Sequence, residues 1–190
     1  RNVPIITFVN KVDREGREVF ETLDEIADLL ALDVSPMTWP VGMGGTFGGV
    51  YDLRSTRLLL PEGPSREFQG KVIQTTGLDD PQLDSLLSAD NLAKLREDAE
   101  LALAGYAQFD GAAYRNGDLT PVFFGSALKE FGVDSLIEAL AQHAPPPHAL
   151  PAEPAPVEPD NAEVTGFVFK VQANMDPNHR DRIAFVRVCS

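Results

Sequence analysis

The chain has 190 residues, 43% of them apolar, enough for one ordinary domain or for parts of two. Charged residues make up 24%, which is not a disordered composition, and the formal net charge of -13 makes coating of DNA or RNA by charge alone a poor reading. A single cysteine, Cys189, excludes an internal disulfide and points to a reducing, cytoplasmic compartment, and no apolar run approaches the roughly 18 residues of a membrane span.

In chain order, Val3 to Asn10 is a nearly continuous apolar run, as in a parallel strand covered on both faces. Residues 16 to 32 follow as an amphipathic helix, with Val19, Phe20, Leu23, Ile26, Ala27 and Leu30 at three- and four-residue spacing. This strand-loop-helix unit sets an α/β class, and residues 1–36 are read as one part of that domain. Because the first residues already read as a buried strand, the chain is expected to be part of something longer. Residues 37–115 have a different texture: short strands at Met37 to Val41, Arg57 to Leu60 and Lys71 to Thr75, broken by Gly- and Pro-rich turns. Asp79-Asp80-Pro81 reads as a helix start with solvated carboxylates. A longer helix, Asn91 to Ala104, follows with Leu92, Leu95, Ala99 and Leu103 on one face and Gly105 as its stop. The region is expected to be an inserted α+β subdomain with its own small core.

The α/β pattern resumes over residues 116–144. Thr120 to Gly125 is a second buried strand, and Val133 to His143 a helix with Val133, Leu136, Ile137 and Leu140 as its inner stripe. Residues 145–163 form an acidic linker with seven prolines, expected to be stiff and extended. Over 164–190, Val164 to Val171 and Ile183 to Val188 alternate as a hairpin joined by the polar loop Met175 to Arg182, the expected opening of an all-β barrel domain.

Two loops carry the chemistry. Asn10-Lys11-Val12-Asp13 directly follows the first buried strand, at the edge where open α/β sheets bind ligands. Guanine presents two adjacent donors, N1–H and its 2-amino group, and a carboxylate such as Asp13 accepts both. Adenine would leave that carboxylate unpaired. Asn10 can donate its amide toward the N7/O6 side and tie the loop to neighbouring backbone, while the aliphatic stem of Lys11 can lie over the ring. Gly125-Ser126-Ala127-Leu128 ends the second strand. The Ala127 N–H can donate to guanine O6, Ser126 can brace the loop, and Leu128 can cover the base.

On NKVDR, TWPVG, GVYDL, TPVFFGSAL and FGVDSLIEAL, the chain resembles the nucleotide domain of translational GTPases of the elongation factor G type. The closing stretch, GFVFKVQANMDPNHRDRIAFVRV, is similar to the peptide-chain release factor three family, for which the elongation factor G type is the alternative. The resemblance implies the C-terminal half of a P-loop-type GTPase domain, the inserted subdomain, and the first hairpin of a β-barrel. It implies binding of GTP and GDP, with Mg2+, by the whole protein. It further implies work on the ribosome, where GTP hydrolysis is coupled to removal of class I release factors. By position, the base-contacting residues are Asn10, Lys11, Asp13, Ser126, Ala127 and Leu128. More than a hundred positions separate the two loops, which matches an insertion between them.

Phosphate chemistry needs G-x-x-x-x-G-K-[ST] and a metal-binding Asp. Gly70-Lys71 is followed by Val72 and has Ser65 where the first glycine belongs, so it is not that motif, and the isolated chain is expected to be inactive as a GTPase. Gly42-Met43-Gly44-Gly45-Thr46-Phe47 reads as a flexible turn, since Phe47 stands where a dinucleotide motif needs glycine. The three histidines have no metal-ligand spacing. Arg180 and Arg182 are the best local basic pair, either a solvated loop or a contact with ribosomal RNA. The acidic region 36 to 115 could instead act alone as a protein-interaction module. Uncovered apolar strand edges imply self-association of the isolated chain.

Overall fold

A computed structural model describes residues 3–62, 69–129, 131–153, 155–173 and 182–190. The contacts divide the chain into two compact units, Arg1–Ala144 and Pro145–Ser190.

The first unit begins with strand β1 (Thr7–Asn10), which leads through the loop 11–18 into helix α1 (Val19–Leu30). Ala31 closes that helix in the left-handed conformation, with φ 53°, and turns the chain back into β2 (Asp33–Pro36). A meander follows: β3 (Thr38–Val41), β4 (Gly49–Asp52), β5 (Arg57–Glu62) and β6 (Gln69–Gln74), each antiparallel to the next. Helices α2 (Gln82–Leu86), α3 (Ala89–Gly105) and α4 (Gly111–Asn116) come next, then β7 (Leu119–Gly125) and α5 (Val133–His143). β7 lies between β1 and β2 and is parallel to both. Its seven residues are all buried, as a central strand covered on both faces requires. The result is a mixed α/β fold with a parallel sheet.

The meander does not have a core of its own. Val12, Val19, Leu23, Val34, Phe124 and Phe131 of the α/β part join Trp39, Val41, Val50, Leu58, Leu92 and Leu95 in one buried cluster. Trp39 is fully buried, with its ring centroid 5.1 Å from Phe20 of α1 and 6.1 Å from Phe124 of β7. The reason is continuity. β2 runs through Met37 into β3, and Met37 N–H still bonds Val122 O of β7 at 2.9 Å, so the meander starts against the parallel sheet.

Several sequence expectations shift in detail. Leu103 is exposed, and Ala102 and Asp98 take the inner face of α3 with Leu92, Leu95 and Ala99. Asp98 tolerates burial because it accepts from Trp39 Nε1–H at 3.4 Å and pairs with Lys94 at 3.3 Å. On α5, Ile137 and Leu140 are exposed, while Ser135 and Ala139 are buried. Small side chains let that helix approach Phe123 and Met37 closely. Asp80 is buried rather than solvated: it accepts from the Thr76 amide at 2.7 Å and the Gln82 amide at 2.9 Å. Those two amides, Gln82 first, hold its carboxyl below the ordinary value.

In the second unit, β8 (Gly166–Ala173) and β9 (Arg182–Val188) form an antiparallel hairpin with an irregularity between Val168 and Lys170. Phe167, Phe169, Val171, Ile183, Val186 and Val188 are exposed, so apolar side chains project from it uncovered. Arg182 opens β9 and is exposed, whereas Arg180 falls outside the described residues. The proline-rich stretch is not extended throughout. Leu150 and Val157 exchange two backbone hydrogen bonds of 2.9 Å, which brings these two positions side by side.

Candidate functional site

β1 and β7 are direct neighbours, and Asn10 pairs in register with Gly125. The two loops that leave these strands therefore start side by side on the same edge of the sheet. Four contacts tie them. Val12 N–H donates to Gly125 O at 3.2 Å. Ala127 N–H donates to Asn10 Oδ1 at 2.9 Å. Lys129 Nζ reaches Asp13 Oδ2 at 2.9 Å, and the Ser126 side chain also hydrogen-bonds the Asp13 carboxylate.

The first loop is held in an uncommon shape. Asn10 Oδ1 accepts from the Lys11 amide at 2.8 Å, and Lys11 has φ 70°, in the left-handed region. A long side chain in that conformation costs about 1 kcal/mol, a strain that concentrates at functional loops. Arg14 N–H then bonds Lys11 O at 3.0 Å and closes the turn, which leaves Lys11 exposed and Val12 buried. A cavity of about 210 Å³ lies beside this loop, bounded by Lys11, Val12, Thr22 and Met43.

The second loop is folded on itself. Ser126 N–H donates to Phe131 O at 2.9 Å and Phe131 N–H returns to Ser126 O at 3.0 Å. A Cβ at Gly125 would strike Phe131 O and the Phe8 ring, the latter at 2.7 Å, so only glycine permits this crossing. Ser126 is buried at 2% exposure, whereas Leu128 stands out at 81%.

Asp13 is the electrostatic centre. Its side chain is 10% exposed. Burial pushes its carboxyl up, but the hydrogen bonds from Lys129 and Ser126 and the Lys129 charge outweigh it, and the net shift is downward. Asp13 is therefore an anionic, pure acceptor at neutral pH. Asn10 differs from expectation in one respect. Its side-chain oxygen takes the Ala127 amide, the donor that sequence reasoning aims at guanine O6, and so links the two loops directly.

The structure thus brings Asn10, Lys11, Asp13, Ser126, Ala127 and Leu128 to one sheet edge. Lys129 was missed by sequence reasoning. A lysine two residues past Ala127 carries no signal of its own until the loop's turn points it back at Asp13. Substituting Lys129→Gln in the 190-residue chain is expected to move the Asp13 titration upward, followed by carbon-13 NMR of its carboxyl. The sign follows from the depressed native pKa. Stability from this group is present above the unfolded value and is lost as pH falls through the folded one, so the variant loses part of it. An unchanged titration would remove Lys129 from the site.

Among the described residues, no group of three or more His, Cys, Asp or Glu could hold a metal ion. Nor is any helix of the described residues long and apolar enough to cross a membrane. These side chains do not make a Mg2+ site, and no step through that ion is assigned to them.

A family model described as the elongation factor Tu GTP binding domain matches residues 1–146. Among solved structures, the chain is similar to a crystal structure from Thermus thermophilus, with TM-score 0.58 and 20% identity over 98% of this chain. The match covers 27% of that protein's chain, so the present sequence spans about a quarter of its length. At this identity the likeness is one of fold.

Proposed function

Because this chain belongs to the elongation factor Tu GTP-binding domain family, we propose that its two loops read the guanine of GTP and GDP, within a ribosome-associated translational GTPase of the release factor three type. The observation that carries the base-reading assignment is the convergence of an anionic Asp13 with Asn10 and Ala127 at one sheet edge. Asp13 accepts from guanine N1–H and the 2-amino group, and the base shares or displaces Lys129 at Oδ2. Asn10 offers its amide to the N7/O6 side, Lys11 and Leu128 flank the ring faces, and Ser126 holds the Asp13 carboxylate in place. The chain supplies recognition of the base, and the phosphates and Mg2+ are held by residues outside it.

Release of class I release factors is favoured over translocation by the wording of residues 172 to 182, QANMDPNHRDR, which resembles release factor three more than elongation factor G. In this reading the protein is cytoplasmic, with the ribosome as partner and Arg180 and Arg182 as contacts to ribosomal RNA. The isolated chain self-associates through uncovered strands. The test uses the full-length protein on ribosomes halted at a stop codon with a labelled class I release factor bound. Added with GTP, the protein should raise the factor's dissociation rate at least tenfold, a change of about 1.4 kcal/mol in barrier. Unchanged dissociation together with movement of the messenger RNA would assign it to the translocase type instead.

A further inference from the structure

The turn at residues 42–48, read from sequence as a flexible glycine loop, is a built structure that touches both candidate base-reading loops. Asn91 Nδ2 of α3 donates to Thr46 O at 2.8 Å, and Gly48 N–H donates to Val41 O at 2.7 Å, which fixes the turn to its helix and strand. On one side Gly44 N–H reaches Val12 O at 3.4 Å. A Cβ at Gly44 would lie 2.9 Å from Glu15 N, and this residue has φ 56°, so only glycine lets the turn press against the first loop here. On the other side Phe47 meets Phe131 edge to face, with centroids 5.5 Å apart and planes at 87°. Phe131 is 2% exposed and is the residue that exchanges both backbone hydrogen bonds with Ser126. Val12, at 1%, precedes Asp13. One turn of the meander thus packs behind Asp13 through Val12 and behind Ala127 through Phe131.

We propose that the turn 42–48 is a positioning element for guanine binding, which braces the loops 10–16 and 125–131 through Gly44 and Phe47. The proposal rests on the base-reading assignment above, although none of these turn residues touches the base. It makes the meander and α3 a lever on nucleotide affinity. A load on α3 passes through Asn91 and Thr46 to the turn, and from there to both loops.

The experiment compares Phe47→Ala, Phe47→Leu and Gly44→Ala with the parent. In the full-length protein, GDP dissociation and the ratio of GDP to XDP affinity are measured. In the 190-residue chain, the amide NMR signals of Val12, Asp13 and Ala127 are followed without nucleotide. Phe47→Ala is expected to speed GDP release about five- to tenfold, the loss of one aromatic pair converted to a rate ratio. The GDP to XDP ratio should hold, because Asp13 itself is untouched, and Phe47→Leu should recover most of the affinity. Gly44→Ala, at a partly exposed turn, should move the Val12 and Asp13 amide signals in a folded chain. GDP release within twofold of the parent, with the three amide signals unmoved in both Phe47→Ala and Gly44→Ala, would overturn the brace. If the amide signals move while an Asp13→Asn variant keeps its guanine preference, the brace stands and the base-reading assignment falls.

Discussion

Asp13→Asn in the full-length protein should reverse the base preference, weakening GDP about 100- to 1,000-fold while XDP gains, as read by competition for one labelled nucleotide. Guanine presents two donors to this side chain. The carboxylate accepts both with a charged acceptor, and an amide accepts only one. The second donor then faces the Asn NH2, so the loss combines a missing charged hydrogen bond with an unpaired polar group. Xanthine carries an oxygen where guanine carries the amino group, and the same NH2 can donate to it. The substitution should fold normally. Lys129 loses its ion pair with Asp13, but its side chain is 32% exposed, so its charge stays solvated. Equal discrimination between GDP and XDP before and after the change would deny Asp13 its role.

Trp39→Ala should have the largest effect on stability, about 3–5 kcal/mol, seen as a fall in the urea midpoint of the first unit. The ring has no exposure and stands between Phe20 of α1 and Phe124 of β7, so a void there opens against both the helix and the parallel sheet. The surroundings can collapse little, because β7 is held on both edges by β1 and β2. Loss of the indole also takes one hydrogen bond from the buried Asp98, leaving Lys94 as its ion-pair partner. Since the meander and the α/β part contribute to one core, the unit should still unfold in a single transition. Separate transitions for residues 37–115 and the rest would instead favour the self-contained interaction module.

The site was more legible in sequence than its support. β7 stands out because a central parallel strand needs an unbroken apolar run. The run at Val3 to Asn10 is a strand only over Thr7–Asn10, and there it is a half-buried edge strand rather than a central one, with Val3 exposed. Both loops still follow from chain chemistry at those strand ends. β2 and β4 were harder to see. Asp33-Val34-Ser35-Pro36 has a charge at one end and a proline at the other, and it is a strand only because β7 offers it a partner edge. β4 buries Asp52, which a sequence pattern reads as a turn residue. Its carboxylate instead accepts from the Arg54 and Ser55 amides at 3.0 and 2.8 Å and pairs with Arg57 at 3.2 Å. The inner stripe of α5 was half right: Leu136 packs there, but Ile137 and Leu140 do not. Periodicity marks the largest apolar side chains, but close approach to Phe123 is made by Ala139. Lys129 and the turn at 42–48 act only through tertiary contacts, and no local pattern announces such contacts.

The hairpin of the second unit is electrostatically unlike the chain that carries it. Its two strands carry Lys170, Arg182 and Arg187 and no acidic residue, in a chain whose formal net charge is -13. A chain of that net charge repels a polyanion at long range, whereas the two described strands present only positive charge. Any attraction of a polyanion to this ribbon is therefore a short-range matter that competes with the charge of the rest of the chain, and it fades as salt shortens the reach of charge to about 10 Å at 0.1 M.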